Sequence, residues 1–300
     1  MSIKNSVVTI GVFDGVHIGH KAIIKKVAMR AKRIGAKSVV VTFDPHPLKV
    51  LRPRHFVPSL ISLKHRVKLI KELGIDNVLV MKFSKKIASM PPEKFVNDII
   101  IRRLNAKEIF VGEDFCFGKG AKGRADVLKA IGQMKGLKVS IIQHVKKERV
   151  IVSSSLIRRL VVSGQINKVS RLLGRQYSIL GTVVGGSKLA RLLGYPTANI
   201  NPHHEAIPPC GVYTVKVRFK KKLFKGIMNI GVRPTFYDHG RDEEPSIEVH
   251  IFDFGYRIYG KDLEILFVKK LRNEQKFKTI DSLVRQIKKD EALARRNLSL

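Results

Sequence analysis

Carboxylates are scarce in this chain: 24 aspartates and glutamates stand against 58 lysines and arginines, a formal charge of +34. Cysteine is scarcer still. Cys116 and Cys210 are the only two, far apart and outside any C-x-x-C pairing. That argues against a disulfide scaffold and against a structural zinc site. No apolar run approaches the ~20 residues needed to cross a bilayer. The start, Met1-Ser2-Ile3-Lys4-Asn5, runs into a strand-like segment without the apolar stretch of a secretory signal. The expectation is a cytoplasmic protein with no membrane partner. Its positive charge would attract polyanions. Yet Lys and Arg are spread along the whole chain, with no RNP1, KH or C₂H₂ pattern among them. They read as solvated faces, with no dedicated nucleic-acid partner.

At 300 residues, 44% of them hydrophobic, the chain can bury two domains' worth of core. Its first half alternates strand and helix patterns. Val7–Val12 is a nearly unbroken apolar run, as expected of a strand buried on both faces. Ile23, Ile24, Val27, Ala28, Ala31 and Ile34 then recur at helical steps, and Gly35 can end that helix. Strands at Val39–Phe43, Val78–Met81, Ile109–Val111 and Val139–Ile142 alternate with helices over Pro92–Leu104 and Ala125–Met134. Such alternation implies a parallel sheet of Rossmann type covered by helices. Two helical segments, Ser154–Ser163 and Gln165–Leu173, read as a connection. Beyond them, strand patterns follow one another at Tyr177–Val184, Val212–Phe219, Phe224–Ile230, Ile247–Phe252 and Glu264–Phe267, before a helix over Ile280–Arg296. That is the pattern of an antiparallel barrel with a terminal helix. The fold class is therefore α/β plus all-β, with domains over 1–175 and 176–300.

The densest chemistry lies in Gly11-Val12-Phe13-Asp14-Gly15-Val16-His17-Ile18-Gly19-His20. A strand ends, Gly15 permits a tight turn, and a helix begins whose free N–H groups and dipole suit a phosphate. His17 and His20, three apart, share one side of that helix start. Two imidazoles there can stabilise charge building on an α-phosphate during in-line displacement. Gly19 lets a nucleotide approach the backbone. The letters His-Ile-Gly-His also resemble class I aminoacyl-tRNA synthetases, and Met81–Lys86 imitates their companion loop. The chain is short for a synthetase, lacks a helical anticodon module, and has the loop residues out of order. Thr42–Pro47 and Val111–Gly118 sit at strand ends, where ligands bind in open α/β sheets. In Ser153-Ser154-Ser155-Leu156-Ile157-Arg158, the serines cap a helix and Arg158 can hold β- and γ-phosphates.

The barrel half carries Gly181–Gly186 and then Arg191-Leu192-Leu193-Gly194-Tyr195-Pro196-Thr197-Ala198-Asn199. Glycines such as Gly186 and Gly194 either fold over a nucleotide or merely turn the chain. Thr197 and Asn199 offer neutral oxygens to Mg²⁺. No carboxylate occurs between Glu148 and Glu205, a stretch containing Arg158, Arg171, Lys188 and Arg191. Anionic ligands would meet little repulsion there. Glu248, on an alternating strand pattern, is either an inward general base or a solvent-facing carboxylate.

Taken in order, these motifs resemble the prokaryotic bifunctional riboflavin kinase/FAD synthetases over nearly the whole chain. The resemblance continues through Asn229–Phe236, Glu248-Val249-His250, Tyr259-Gly260-Lys261 and Leu271–Glu274. It implies an N-terminal adenylyltransferase and a C-terminal kinase, with ATP, riboflavin, FMN and FAD as substrates and products. It further implies that His17 and His20 stabilise the adenylyl transition state. Ser154 and Arg158 would bind ATP phosphates within a site formed by Gly11, Phe13, Asp14, Gly15 and Gly19, and His46 would line it. Gly186, Arg191 and Gly194 would face phosphate in the kinase. Thr197 and Asn199 would hold Mg²⁺, and Glu248 would activate the ribityl hydroxyl. Ala190, Gly185, Ser155 and Leu156 depart from the family's usual residues.

Overall fold

A computed structural model describes residues 5–55, 58–186, 193–203, 205–232 and 245–299 of the chain. Two compact units emerge: Met1–Pro58 with Leu63–Ser154, and Ser59–Ser62 with Ser155–Leu300.

The first unit is built on five parallel strands, β1 (Ser6–Ile10), β2 (Lys37–Asp44), β3 (Asn77–Lys82), β4 (Ala106–Gly112) and β5 (Lys138–Ile142). Their order is β3-β2-β1-β4-β5. Every residue of β1 is buried, which explains its unbroken apolar run. Val8, Ile10, Val39, Val41, Ile109 and Val111 pack with Phe95, Ile100, Leu104 and Leu128 into one core. Connections run outward from β1 to β3, then return to β4 and β5. The strand order therefore reverses between β1 and β4, which opens a crevice beyond their carboxyl ends. Helix α1 (Ile18–Arg33) follows β1, and α2 (Leu63–Lys71) precedes β3. Sequence patterning did not single out α2. The helix expected over 92–104 begins at Pro92–Phe95 and widens to π-type turns over Val96–Arg103. Helix α3 (Ala125–Met134) lies where the pattern placed it.

Helices α4 (Ser154–Val162) and α5 (Ile166–Leu173), read from the sequence as a connection, belong from Ser155 on to the second unit. Its strands are β6 (Ser178–Val184), β7 (Thr197–Asn201), β8 (Gly211–Phe219), β9 (Lys222–Val232), β10 (Pro245–Ile251) and β11 (Asp262–Arg272). They form a closed antiparallel barrel in the order β6-β7-β10-β9-β8-β11, sealed by pairing of β6 with β11. Strand β7 is the addition to the five strands read from the sequence. Val215, Val217, Met228, Ile230, Val249 and Ile265 fill the interior. Phe267 stacks on Tyr177 and meets Tyr213 edge-on. Helix α6 (Ile280–Ser299) buries Ala294 and Leu298 against Ile227 and Phe252. Arg272 of β11 grips Asp290 of α6 with a 2.8 Å ion pair.

Candidate functional site

Beyond the carboxyl end of β1 the chain folds into a tight turn, with Phe13, Gly15 and Val16 at φ 52°, 83° and 42°. Only glycine adopts such angles without cost, so Gly15 relieves one of three strained positions. His17 is the N-cap of α1, and its Nδ1 accepts the backbone N–H of His20 at 3.3 Å. The two imidazoles stack at 3.6 Å with planes 19° apart. The ring of Phe13 meets His20 edge-on at 5.2 Å. A Cβ on Gly19 would come within 3.1 Å of the His17 ring, so glycine there serves the stack itself. Likewise a Cβ on Gly11 would press to 3.0 Å from the Phe13 ring.

Burial, then His17, then Arg66 hold the His20 imidazole well below the ordinary histidine range. His20 is therefore neutral near pH 7, and its buried Nδ1 has no hydrogen-bond partner among the described residues. Asp14 is buried, and its carbonyl accepts the Ser154 hydroxyl at 2.8 Å. Arg158 follows one helical turn later. His46 caps the short helix Pro47–Leu51, its Nδ1 accepting the Leu48 N–H at 3.1 Å. Thr42 donates to the Val12 carbonyl at 3.0 Å, and Arg66 of α2 donates to both. Arg66 escaped the sequence reading because it sits among Lys64, Lys68 and Lys71, which read as a solvated face.

In the barrel, Thr197 and Asn199 point to one side of β7, and β10 places Glu248 opposite Asn199 and His250 opposite Thr197. The Thr197 hydroxyl donates to a Glu248 carboxylate oxygen at 3.4 Å. Glu248 is half-buried on the face opposite the fully buried Val249. It lines a cavity of about 280 Å³ with Tyr195, Asn229 and Phe277, walled by Leu283 and Ile287 of α6. Thr197 also lines a larger cavity, about 730 Å³, with Val183, Gly186, Asn199, Tyr256 and Tyr259. A Cβ on Gly186 would overlap the Asn199 side-chain amide. Gly194 takes a left-handed φ of 83° with open space around it. Arg191, Lys188 and Ala190, with the Arg233–Phe236 motif, lie outside the described residues.

Among the described residues no three or more His, Cys, Asp or Glu cluster as a metal site. Thr197, bonded to the Glu248 carboxylate, and Asn199, the register partner of Glu248, nonetheless carry oxygen donors of the kind Mg²⁺ accepts beside substrate phosphates.

Known proteins match the chain in two stretches. A family model described as FAD synthetase matches residues 1–156, and one described as riboflavin kinase matches residues 173–298. A Bacillus subtilis (strain 168) protein named bifunctional riboflavin kinase/FMN adenylyltransferase is 37% identical over 296 residues, covering 98% of this chain and 93% of that protein. The protein of that name from Escherichia coli (strain K12) is 33% identical over 293 residues, covering 97% and 92%. Among solved structures, a macrolide-efflux protein from Streptococcus pneumoniae superposes with a TM-score of 0.84 at 32% identity, covering 97% and 94%. Among the described residues no helix is long and apolar enough to cross a membrane.

Proposed function

The chain belongs to the bifunctional riboflavin kinase/FMN adenylyltransferase family, and on that premise we propose where each of its two reactions takes place. The enzyme phosphorylates riboflavin to FMN and adenylylates FMN to FAD, with ATP as substrate of both steps. We assign adenylyl transfer to residues 1–175 and phosphorylation to residues 176–300. What supports this reading is that the stacked His17 and His20 lie in the first compact unit, and Thr197 with Glu248 in the second, although the units themselves divide after Ser154.

In adenylyl transfer a phosphate oxygen of FMN attacks the α-phosphorus of ATP, and the bond to the leaving pyrophosphate breaks. Negative charge gathers on the α-phosphate oxygens at the start of α1. His17 and His20, with the free N–H groups of that helix end, are aimed at this charge. Gly11, Phe13, Asp14, Gly15 and Gly19 shape the turn. Ser154 and Arg158 receive ATP phosphates, and His46 borders the nucleotide.

In the kinase the ribityl 5′-hydroxyl attacks the γ-phosphorus, its proton passes to Glu248, and ADP leaves. Riboflavin occupies the cavity under α6, ATP occupies the larger cavity, and Thr197 stands on the wall of both. Thr197 and Asn199 would hold Mg²⁺, which when bound neutralises charge on the β- and γ-phosphates. Gly186, Gly194 and Arg191 attend the same phosphates. Flavins and ATP are the partners, the excess positive charge belongs to solvated faces, and the site of action is the cytoplasm.

The test is incubation of the purified chain with riboflavin, ATP and Mg²⁺, followed by chromatographic separation of the flavins. FAD accumulating through FMN fits both assignments. FAD formed only from added FMN would remove the kinase from the barrel.

A further inference from the structure

A buried cation that touches no carboxylate among the described residues stands beside the N-terminal turn. Arg66 is 3% exposed. Its Nη1 donates to the Val12 carbonyl at 2.6 Å and to the Thr42 hydroxyl at 3.1 Å. Among the described residues it makes no ion pair, and its buried Nε has no hydrogen-bond partner. Thr42 donates to the same Val12 carbonyl at 3.0 Å. Two donors, the Arg66 guanidinium and the Thr42 hydroxyl, thus converge on the carbonyl of the residue that opens the strained turn, a backbone that persists only where its surroundings hold it.

A neutral donor would hold Val12 equally well. Burying a guanidinium costs far more than burying an amide unless an anion meets it. Here burial lowers the Arg66 pKa despite the opposing influence of Asp14 and Asp44. A buried group left unsatisfied in this way calls for a ligand or a catalytic role. Close by, His20 has an unpartnered ring nitrogen of its own. The charged and titratable groups acting on His20 are His17 and Arg66, with Asp14 and Asp44 acting in turn on Arg66.

We propose that Arg66 is a positioning residue of the adenylyl-transfer site. It pins the turn that carries His17 and His20, and it supplies a positive charge that the protein leaves for an anionic phosphate of the nucleotide to offset. This rests on placing adenylyl transfer at that turn. The Arg66 charge adds to burial and to His17 in keeping His20 unprotonated.

The experiment uses the full chain carrying Arg66→Gln, Arg66→Lys or, separately, His20→Ala. FMN-to-FAD and riboflavin-to-FMN conversion are measured on the same preparations from about pH 5.5 to 8.5. Arg66→Gln lowers kcat for FAD formation about tenfold or more, and Arg66→Lys restores it to within about threefold. FMN formation in both stays within about twofold of the parent, which shows that the chain is folded. In Arg66→Gln the acid limb of kcat/KM for FAD formation moves to higher pH, because His20 without the cation protonates more readily. A Gln variant within about threefold of the parent and with an unmoved profile overturns the proposal. So do Lys and Gln variants that lose activity equally and in step with melting temperature. If His20→Ala itself spares FAD formation, the placement of the site has failed. If His20→Ala abolishes it and Arg66→Gln does not, only the role of Arg66 has failed.

Discussion

The imidazoles of His17 and His20 stack 3.6 Å apart, and the His17 ring accepts the backbone N–H of His20. One ring is thereby spent on capping the helix and supporting the other, while His20 keeps a nitrogen unpartnered among the described residues. The two histidines therefore differ in what their rings have left to offer, despite their matching letters.

If adenylyl transfer takes place at this turn as proposed, His20→Ala removes a donor from the charge that builds on the α-phosphate. Loss of one such donor costs about 10²–10³ in rate. FAD formation from added FMN should fall by that order while FMN formation from riboflavin continues, both followed by chromatography of one reaction. Equal loss of the two activities would mean that the change acts on folding rather than on one site.

The lowered pKa of His20 also sets a pH dependence of stability. The folded state keeps this imidazole neutral, whereas the unfolded chain protonates it near the ordinary value of about 6.5. The associated stability is complete above that value and is lost as pH falls from it toward the folded pKa. Melting curves between about pH 7.5 and 5.5 should show the parent losing more melting temperature than His20→Gln, which has no such group to titrate. Parallel losses would place His20 in an ordinary solvated environment.

Gly186 is set against the Asn199 amide, where an added Cβ has no room. Gly186→Ala should displace Asn199, lowering kinase turnover about tenfold while FMN-to-FAD conversion is spared. Unchanged single-turnover FMN formation would show that Asn199 can shift without consequence.

The β–α alternation and the run of barrel strands were legible because apolar periodicity follows burial directly, as in the wholly buried β1. Strand β7 was not. Thr197-Ala198-Asn199-Ile200-Asn201 does alternate, but it is short and offers only Ala198 and Ile200 as apolar residues, too few to stand out as a strand. The side taken by Glu248 was equally hidden. Alternation sets it opposite buried Val249, which on a strand alone reads as solvent-facing, but α6 roofs that face. Arg66 was lost among the lysines of α2 because composition does not tell which cation turns inward. Gly19 was assigned to the approach of a nucleotide, and it also makes room for the His17 ring.

The most direct test of two separate sites is single-turnover chemistry of Glu248→Gln, measured with flavin-fluorescence titration on the same protein. Glutamine keeps the size of the side chain but takes no proton from the ribityl hydroxyl, and general-base help is worth about 10²–10⁴-fold. The predicted result is FMN formation reduced at least about tenfold, riboflavin binding largely intact, and conversion of added FMN to FAD unchanged. FMN formation within about twofold of the parent, or loss of FAD formation alongside it, would contradict the account.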